Sequence, residues 1–292
     1  MILPRLHNLL VFCFFVLCVG VSCGRNTDKK AILFYTTDVY ADENDSLESI
    51  VFDEDVEAQS GSTTLDNDAD EEGKSILIEH TGFVISYNLK NNAPNWVAWE
   101  LTPDKTDGVV SRKDYDFHED EYLPPSNQVF KEDYNGSLYD RGHMCPAGDM
   151  KWSNQAMYDC FSMSNVCPQT SVLNQRWWEH LERACRRWAQ REGRIHIWCG
   201  PIYNNNVTPV YIGRNVKVRV PDGFFKVVLS KKVGEEKAIG FIYSNSESRQ
   251  TMEDAATTVD EVEMITGFTF FSDDDIGNRN NIKSNANIRL WH

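Results

Sequence analysis

Over residues 173–192 apolar side chains recur at helical spacing. Leu173, Trp177, Trp178, Leu181, Ala184, Cys185 and Trp188 share one face, and Gly193 ends the run. Arg176, Glu179, Arg183, Arg186, Arg187 and Arg191 lie opposite. A face this bulky has to be covered by a second layer, and the rest of the chain offers strands to cover it. Strands are predicted over 82–88 and 96–101, with a turn at 91–95 between them, and over 160–166, 195–201, 216–220, 224–229, 238–243 and 268–271. A short helix over 258–266 ends at Gly267, and residues 102–138 read as a polar, extended connection. Helices and strands do not alternate regularly, and no internal repeat is present. The predicted fold class is therefore α+β, with a largely antiparallel central sheet flanked by helices.

The folded unit is expected to span residues 76–292. Residues 24–75 hold fifteen Asp/Glu against four Lys/Arg, too little apolar surface to offset the cost of ordering, and read as an acidic flexible linker. Its run Asp66-Asn67-Asp68-Ala69-Asp70-Glu71-Glu72-Gly73 lacks the spacing of a calcium loop. Residues 1–23 read as an export signal: Arg5 and His7 precede the apolar run 9–19, which is too short to span a membrane comfortably, and small residues follow. Gly20-Val21-Ser22-Cys23 also resembles a lipoprotein signal, with Gly20 where leucine is usual, so attachment to a membrane through lipidated Cys23 is one expectation. The chain is then secreted, periplasmic or an outer-membrane or cell-surface lipoprotein.

The net charge of −15 argues against a polyanion binder until it is divided along the chain. Residues 76–292 carry 29 acidic and 24 basic residues. That balance permits a local basic site but no broad basic surface, so substrate affinity is expected to be modest. Five cysteines fall in this region: Cys145, Cys160, Cys167, Cys185 and Cys199. Export permits bridges, but an odd number leaves at least one thiol unpaired. With no Cys-x-x-Cys pair, a structural zinc site is not expected.

The densest chemistry lies in Tyr139-Asp140-Arg141-Gly142-His143-Met144-Cys145-Pro146, read as an exposed turn. It sets an acid, a permanent cation and an imidazole within four residues. Phosphodiester hydrolysis needs a base for water, a cation for phosphate and neutralisation of the leaving oxygen. Asp140 suits orienting His143 or holding the turn; Arg141 suits phosphate through its planar fork. Taken bare, the string reads by default as a structural turn with a solvated histidine. Asn174, in the first turn of the long helix, reads alone as a cap. Glu182, two turns later and about 80° away around an ideal helix, reads alone as solvated.

Asp140-Arg141-Gly142-His143, Ser164-Asn165-x-x-Pro168-Gln169 and Leu173-Asn174-x-x-x-Trp178-x-x-Leu181-Glu182 together resemble the DNA/RNA non-specific endonucleases. These are ββα-metal, or His-Me finger, nucleases. The resemblance extends over nearly all of 77–292, through Asn95-Trp96-Val97-Ala98-Trp99, Cys199-Gly200-Pro201 and Thr258–Glu263 with Thr266-Gly267. It implies that His143 is the general base and that Asn174 is the one direct protein ligand of a divalent metal, normally Mg2+, with Mn2+ or Ca2+ as substitutes. It implies that Glu182 supports the metal's waters. Arg141 would bind the substrate phosphate, as would Arg112 of Val110-Ser111-Arg112-Lys113, and Asn165 would hold the site's shape. DNA and RNA are the implied substrates, cut with little sequence preference. A single histidine base predicts activity falling as pH drops through its pKa. The alternative is a catalytically inactive surface lipoprotein of the same fold that binds nucleic acid.

Other features read more plainly. The arginines of the long helix suit either a nucleic-acid track or a solvated face paired with Glu179 and Glu182. At core spacing its tryptophans read as packing residues. His180 and His196 read as surface or core histidines, and Asp273-Asp274-Asp275 as a solvated loop.

Overall fold

The computed structural model describes residues 30–31, 75–271 and 282–292. The export signal, the acidic linker apart from Lys30, Ala31 and Ser75, and the Asp273-Asp274-Asp275 loop lie outside the described residues. Among those described, no helix is long and apolar enough to cross a membrane.

The strands that position the site are β1 (Ser75–His80), β2 (Phe83–Asn88), β3 (Ala93–Leu101), β4 (Asp140–His143), β5 (Val166–Gln169), β6 (Ile195–Ile202), β7 (Gly223–Ser230), β8 (Lys237–Ser244) and β9 (Ala256–Thr257). Seven of them form one sheet in the order β9-β8-β7-β6-β3-β2-β1, with every neighbouring pair antiparallel. The α-helices longer than one turn are α1 (Asn154–Cys160), α2 (Glu179–Glu192) and α3 (Val259–Thr266).

Successive side chains of a strand point to opposite faces, and here both faces are covered. Val97, Trp99, Ile197, Cys199, Phe224, Val228 and Phe241 pack with Trp178, Leu181, Ala184, Cys185 and Trp188 of the long helix. Their alternates Ala98, Trp198, Phe225, Val227 and Leu229 pack with Val259 and Val262 of α3 and with Phe270, Phe271 and Ile282. Central strands buried on both faces read as near-continuous apolar runs, as Phe224–Leu229 does but for Lys226. Trp178 lies 5.7 Å from Phe224 and 6.1 Å from Tyr243 between ring centroids. Truncating such an anchor to alanine costs about 3–5 kcal/mol. The tryptophans of this helix are therefore packing residues: Trp178 and Trp188 are buried and Trp177 half-buried.

Two predicted elements differ. The Asp140–His143 string is not an exposed turn but strand β4, paired antiparallel with β5 from Asp140 opposite Gln169 to His143 opposite Val166. Gly142 permits this: a Cβ there would sit 2.0 Å from Oε1 of Gln169, whose side chain lies over it. The predicted strand at 160–166 is instead a junction of α1, a 3-10 turn at Met163–Asn165 and the start of β5. Ser153 caps α1 by accepting from the N–H of Ala156 at 3.3 Å, and the Asn165 side chain satisfies the backbone that the turn leaves unpaired. Smaller differences occur at the edges: β3 begins at Ala93, and the predicted strand 216–220 contracts to Val218–Arg219, paired with Tyr211–Ile212. At 268–271 only Phe268–Thr269 is strand.

Candidate active site

The hairpin β4–β5 and the start of the long helix bring the predicted residues together. Asn165 joins the hairpin to α1. It is buried, its Oδ1 accepts from the N–H of Cys145 at 2.9 Å, and its Nδ2 donates to the carbonyls of Cys145 at 2.8 Å and Cys160 at 2.9 Å. Asp140 holds the helix rather than the histidine. Its Oδ1 accepts from Ser171 Oγ at 2.8 Å, and its Oδ2 accepts from Nδ2 of Asn174 at 3.0 Å and Nε2 of Gln175 at 2.8 Å.

That bond orients the Asn174 amide. With Nδ2 committed to Asp140, Oδ1 is left to face a cation. The first turns of the helix, Leu173–Trp178, are a π-helix continuous with α2. A π turn takes up one extra residue, so the eight-residue step from Asn174 to Glu182 turns like seven α-helical residues. The two side chains then stand roughly 20° apart instead of about 80°, which places both on the side facing the hairpin. Glu182 is half-buried by area. Burial pushes its carboxyl up to about 7, with Asp149 and Glu179 adding to the rise and Lys226 and Arg186 opposing it.

His143 is half-buried, with its Nε2 shielded and without a hydrogen-bond partner. Burial, then the Arg112 guanidinium, push its imidazole down to about 3. The ring is therefore neutral through the acid range; its shielded Nε2 is out of reach of water, so Nδ1 is the nitrogen left to accept a proton, as a base weakened by burial. Arg112, on the 3-10 turn Arg112–Asp114, is exposed and lies over the Phe161 ring at 5.5 Å. Arg141 donates from Nη1 to the carbonyl of Lys131 at 3.1 Å and lies over Phe117 at 5.1 Å. Both cations border His143, whose ring is 4.9 Å from Phe117 and 5.1 Å from Phe161.

Among the described residues no group of three or more His, Cys, Asp or Glu side chains assembles to hold a metal. The donors present are instead one oriented amide oxygen and one carboxylate, both hard oxygen ligands. They suit an ion that keeps most of its waters, so the residues fit a divalent cation such as magnesium and not a zinc cage.

Several residues at the site carried no prediction. Lys226 is fully buried, its ammonium 4.4 Å from Trp178 and 5.1 Å from Trp99, with Nζ lacking a hydrogen-bond partner. Burial works against its charge, but the surrounding thiols, Glu182 and Asp149 outweigh it and hold the ammonium above its ordinary range. Asp149 accepts from Arg186 at 2.8 Å and from the Trp99 indole at 3.0 Å, a buried network beneath the long helix. The signal in sequence was a lysine inside an otherwise apolar strand. The arginine stripe is largely a paired face: Arg183 meets Glu179 at 2.7 Å and Arg186 turns inward to Asp149. His180 is exposed and His196 buried in the sheet. All five described cysteines are unpaired and buried.

The comparisons with known proteins agree with this site. Residues 60–275 match the DNA/RNA non-specific endonuclease family. Nuclease C1 of Cunninghamella echinulata var. echinulata is 32% identical over 212 residues, covering 68% of this chain and 84% of that protein. Mitochondrial endonuclease G of Bos taurus is 29% identical over 209 residues, 68% of this chain and 70% of that one. A crystal structure of the EndoG/EndoGI complex superposes with a TM-score of 0.63 at 26% identity, over 71% of this chain and 88% of that one. Enzymes of this family depend on a divalent metal. By sequence and by fold, a mixed α+β architecture on the ββα-metal plan, the chain belongs to the DNA/RNA non-specific endonuclease family, a group of hydrolases.

Proposed function

We propose that the chain is a Mg2+-dependent endonuclease that hydrolyses phosphodiester bonds of DNA and RNA with little sequence preference. The observation that carries this reading is His143: a half-buried, neutral imidazole packed against Phe117 and Phe161, the two rings on which Arg141 and Arg112 lie. Arg112 and Arg141 draw in the phosphate and hold it against the ring. The imidazole takes a proton from a water aligned with the scissile P–O bond, and the arginines stabilise the charge that builds on the phosphoryl oxygens. Asn174 Oδ1 is the direct ligand offered to the ion, Mn2+ or Ca2+ being substitutes. Glu182 accepts hydrogen bonds from its waters, and Asp140 and Asn165 keep the two sides of the site in place. Bound there, the ion supplies positive charge at the phosphate and at the leaving 3′-oxygen. The product then carries a 5′-phosphate.

The residues assigned to substrate contact phosphate, and phosphate contacts carry no sequence information. The export reading of residues 1–23, with lipidation at Cys23, belongs to the same proposal and suits a nuclease acting on extracellular nucleic acid.

The test is to incubate the full chain with supercoiled plasmid and with total RNA, with magnesium and with a chelator, beside His143→Ala. Metal-dependent degradation that falls by about 10²–10⁴-fold in the variant is expected for loss of a general base. A folded wild-type chain that cuts neither substrate with magnesium, manganese or calcium overturns the reading.

A further inference from the structure

The rings around His143 form one connected group with Phe161 at its centre. Phe161 is buried. Its ring stands at 84° to the His143 ring, 5.1 Å away, and lies 5.1 Å from Phe117. The Arg112 guanidinium sits over the same ring at 5.5 Å. Among the described residues no carboxylate pairs with Arg112, so the aromatic face is its support. Phe161 is itself fixed in place: its N–H donates to the carbonyl of Tyr158 at 3.0 Å, its carbonyl accepts from the N–H of His118 at 3.2 Å, and Tyr115 stacks on its ring at 6.3 Å and 20°.

We propose that Phe161 is a positioning residue for cleavage: a single ring that holds the phosphate-binding Arg112 and the base His143 in one fixed relation while shielding one side of the imidazole from bulk water. The inference rests on the roles given to those two residues in the nuclease reading. The physics is that of a ring used on two sides at once. The negative face of the π system attracts the guanidinium, while the apolar body packs against the imidazole and desolvates it. A phosphate taken by Arg112 thus arrives at a set distance from the base, and geometry held in this way carries rate: a 1 Å misplacement costs about 10²-fold. Of the charged groups near His143, Arg112 comes from the connection and Arg141 from its own strand; the facing strand β5 sets Val166 opposite His143 and carries no carboxylate.

Two replacements in the full chain separate this role from simple packing. Phe161→Leu keeps apolar volume and removes the ring. We expect it to lower kcat/KM by about 10- to 100-fold and to raise the proton affinity of His143, read by NMR titration of the imidazole, at least tenfold from its value near 3. Phe161→Tyr, which keeps the ring, should restore both. A folded Phe161→Leu chain whose kcat/KM stays within twofold of wild type and whose imidazole titration does not move overturns the proposal. If Phe161→Leu does not fold, pentafluorophenylalanine at 161 keeps the shape and reverses the charge of the ring face. It should then raise KM about fivefold or more as Arg112 loses its seat, and an unchanged KM overturns the proposal. A wild-type chain that cuts nothing defeats the nuclease reading instead. The imidazole titration in Phe161→Leu then decides the positioning role alone, a rise supporting it and no change overturning it.

Discussion

At the scale of single residues, the two titrating groups of the site are displaced in opposite directions. His143 is held near 3 in the fold, below the ordinary imidazole value of 6.5. The unfolded chain therefore takes up that proton first on acidification. The stabilisation from keeping His143 neutral is fully present above about pH 6.5 and is lost as pH falls toward 3. Glu182, raised from 4.5 to about 7, behaves in reverse: its contribution is present below 4.5 and lost as pH rises through 7. For activity the consequence differs from the sequence-based expectation. With His143 already neutral, the acid limb belongs to Glu182, which has to ionise to hold the metal's waters. A cation favours the carboxylate form, so the midpoint of the limb should lie near pH 7 at limiting magnesium and move to lower pH as magnesium is raised. Profiles of kcat/KM against pH at two magnesium concentrations check this, and a midpoint that ignores magnesium returns the limb to the histidine. Asp140 gives a second prediction. Because it orients the Asn174 amide, Asp140→Ala should weaken metal binding by about 10- to 100-fold without unfolding the chain, as measured by manganese titration. An unchanged affinity would mean that Asn174 is oriented by something else.

At the scale of elements, the site is made by one hairpin and one irregular helix turn. The hairpin depends on the absence of a side chain at Gly142. Gly142→Ala drives a methyl to 2.0 Å from the Gln169 amide oxygen, and Gln169 is buried with little room to give way. The expected loss is about 1–3 kcal/mol, seen as a lower midpoint of thermal unfolding with cleavage reduced in step. A variant as stable as wild type would show that Gln169 moves aside. The long helix was legible because Leu173, Leu181, Ala184 and Trp188 repeat at its period. Its π turn was not, because an extra residue in one turn leaves the apolar pattern intact while rotating what precedes it. The short helix was legible for local reasons: Thr258 caps it through the N–H of Glu261 at 3.0 Å, and Gly267 ends it at φ 74°. The stretch 160–166 misled because Phe161-Ser162-Met163-Ser164 alternates like a strand, while Ser153 and Asn165 decide the local backbone through side-chain bonds that no period reports.

At the scale of the molecule, the sheet serves as a wall with a core on each side, and the charge of the chain sits apart from its chemistry. Substrate contact is assigned to Arg112 and Arg141, a small basic locus on a unit whose acidic residues outnumber its basic ones. Binding by two phosphate contacts predicts a shallow salt dependence: a plot of log KM against log salt with a slope of magnitude about 2, from roughly 0.9 per contact. Slopes several times steeper would reveal a broader basic track. The five described thiols are buried and unpaired, so a reducing agent should leave the unfolding midpoint where it is.

The sequence by itself determined the membership and the materials. The motif strings named the family, the period of 173–192 placed the helix, and irregular element order selected an α+β fold. These are local properties, carried by residue identity and spacing. Tertiary structure alone decided that Asp140 grips the helix rather than the histidine, that Phe161 seats both Arg112 and His143, and that Lys226 lies under the site between two tryptophans. It also set Glu182 near 7. Each of these depends on residues far apart in the chain becoming neighbours, and on the water removed when they do, neither of which is written in any stretch of sequence.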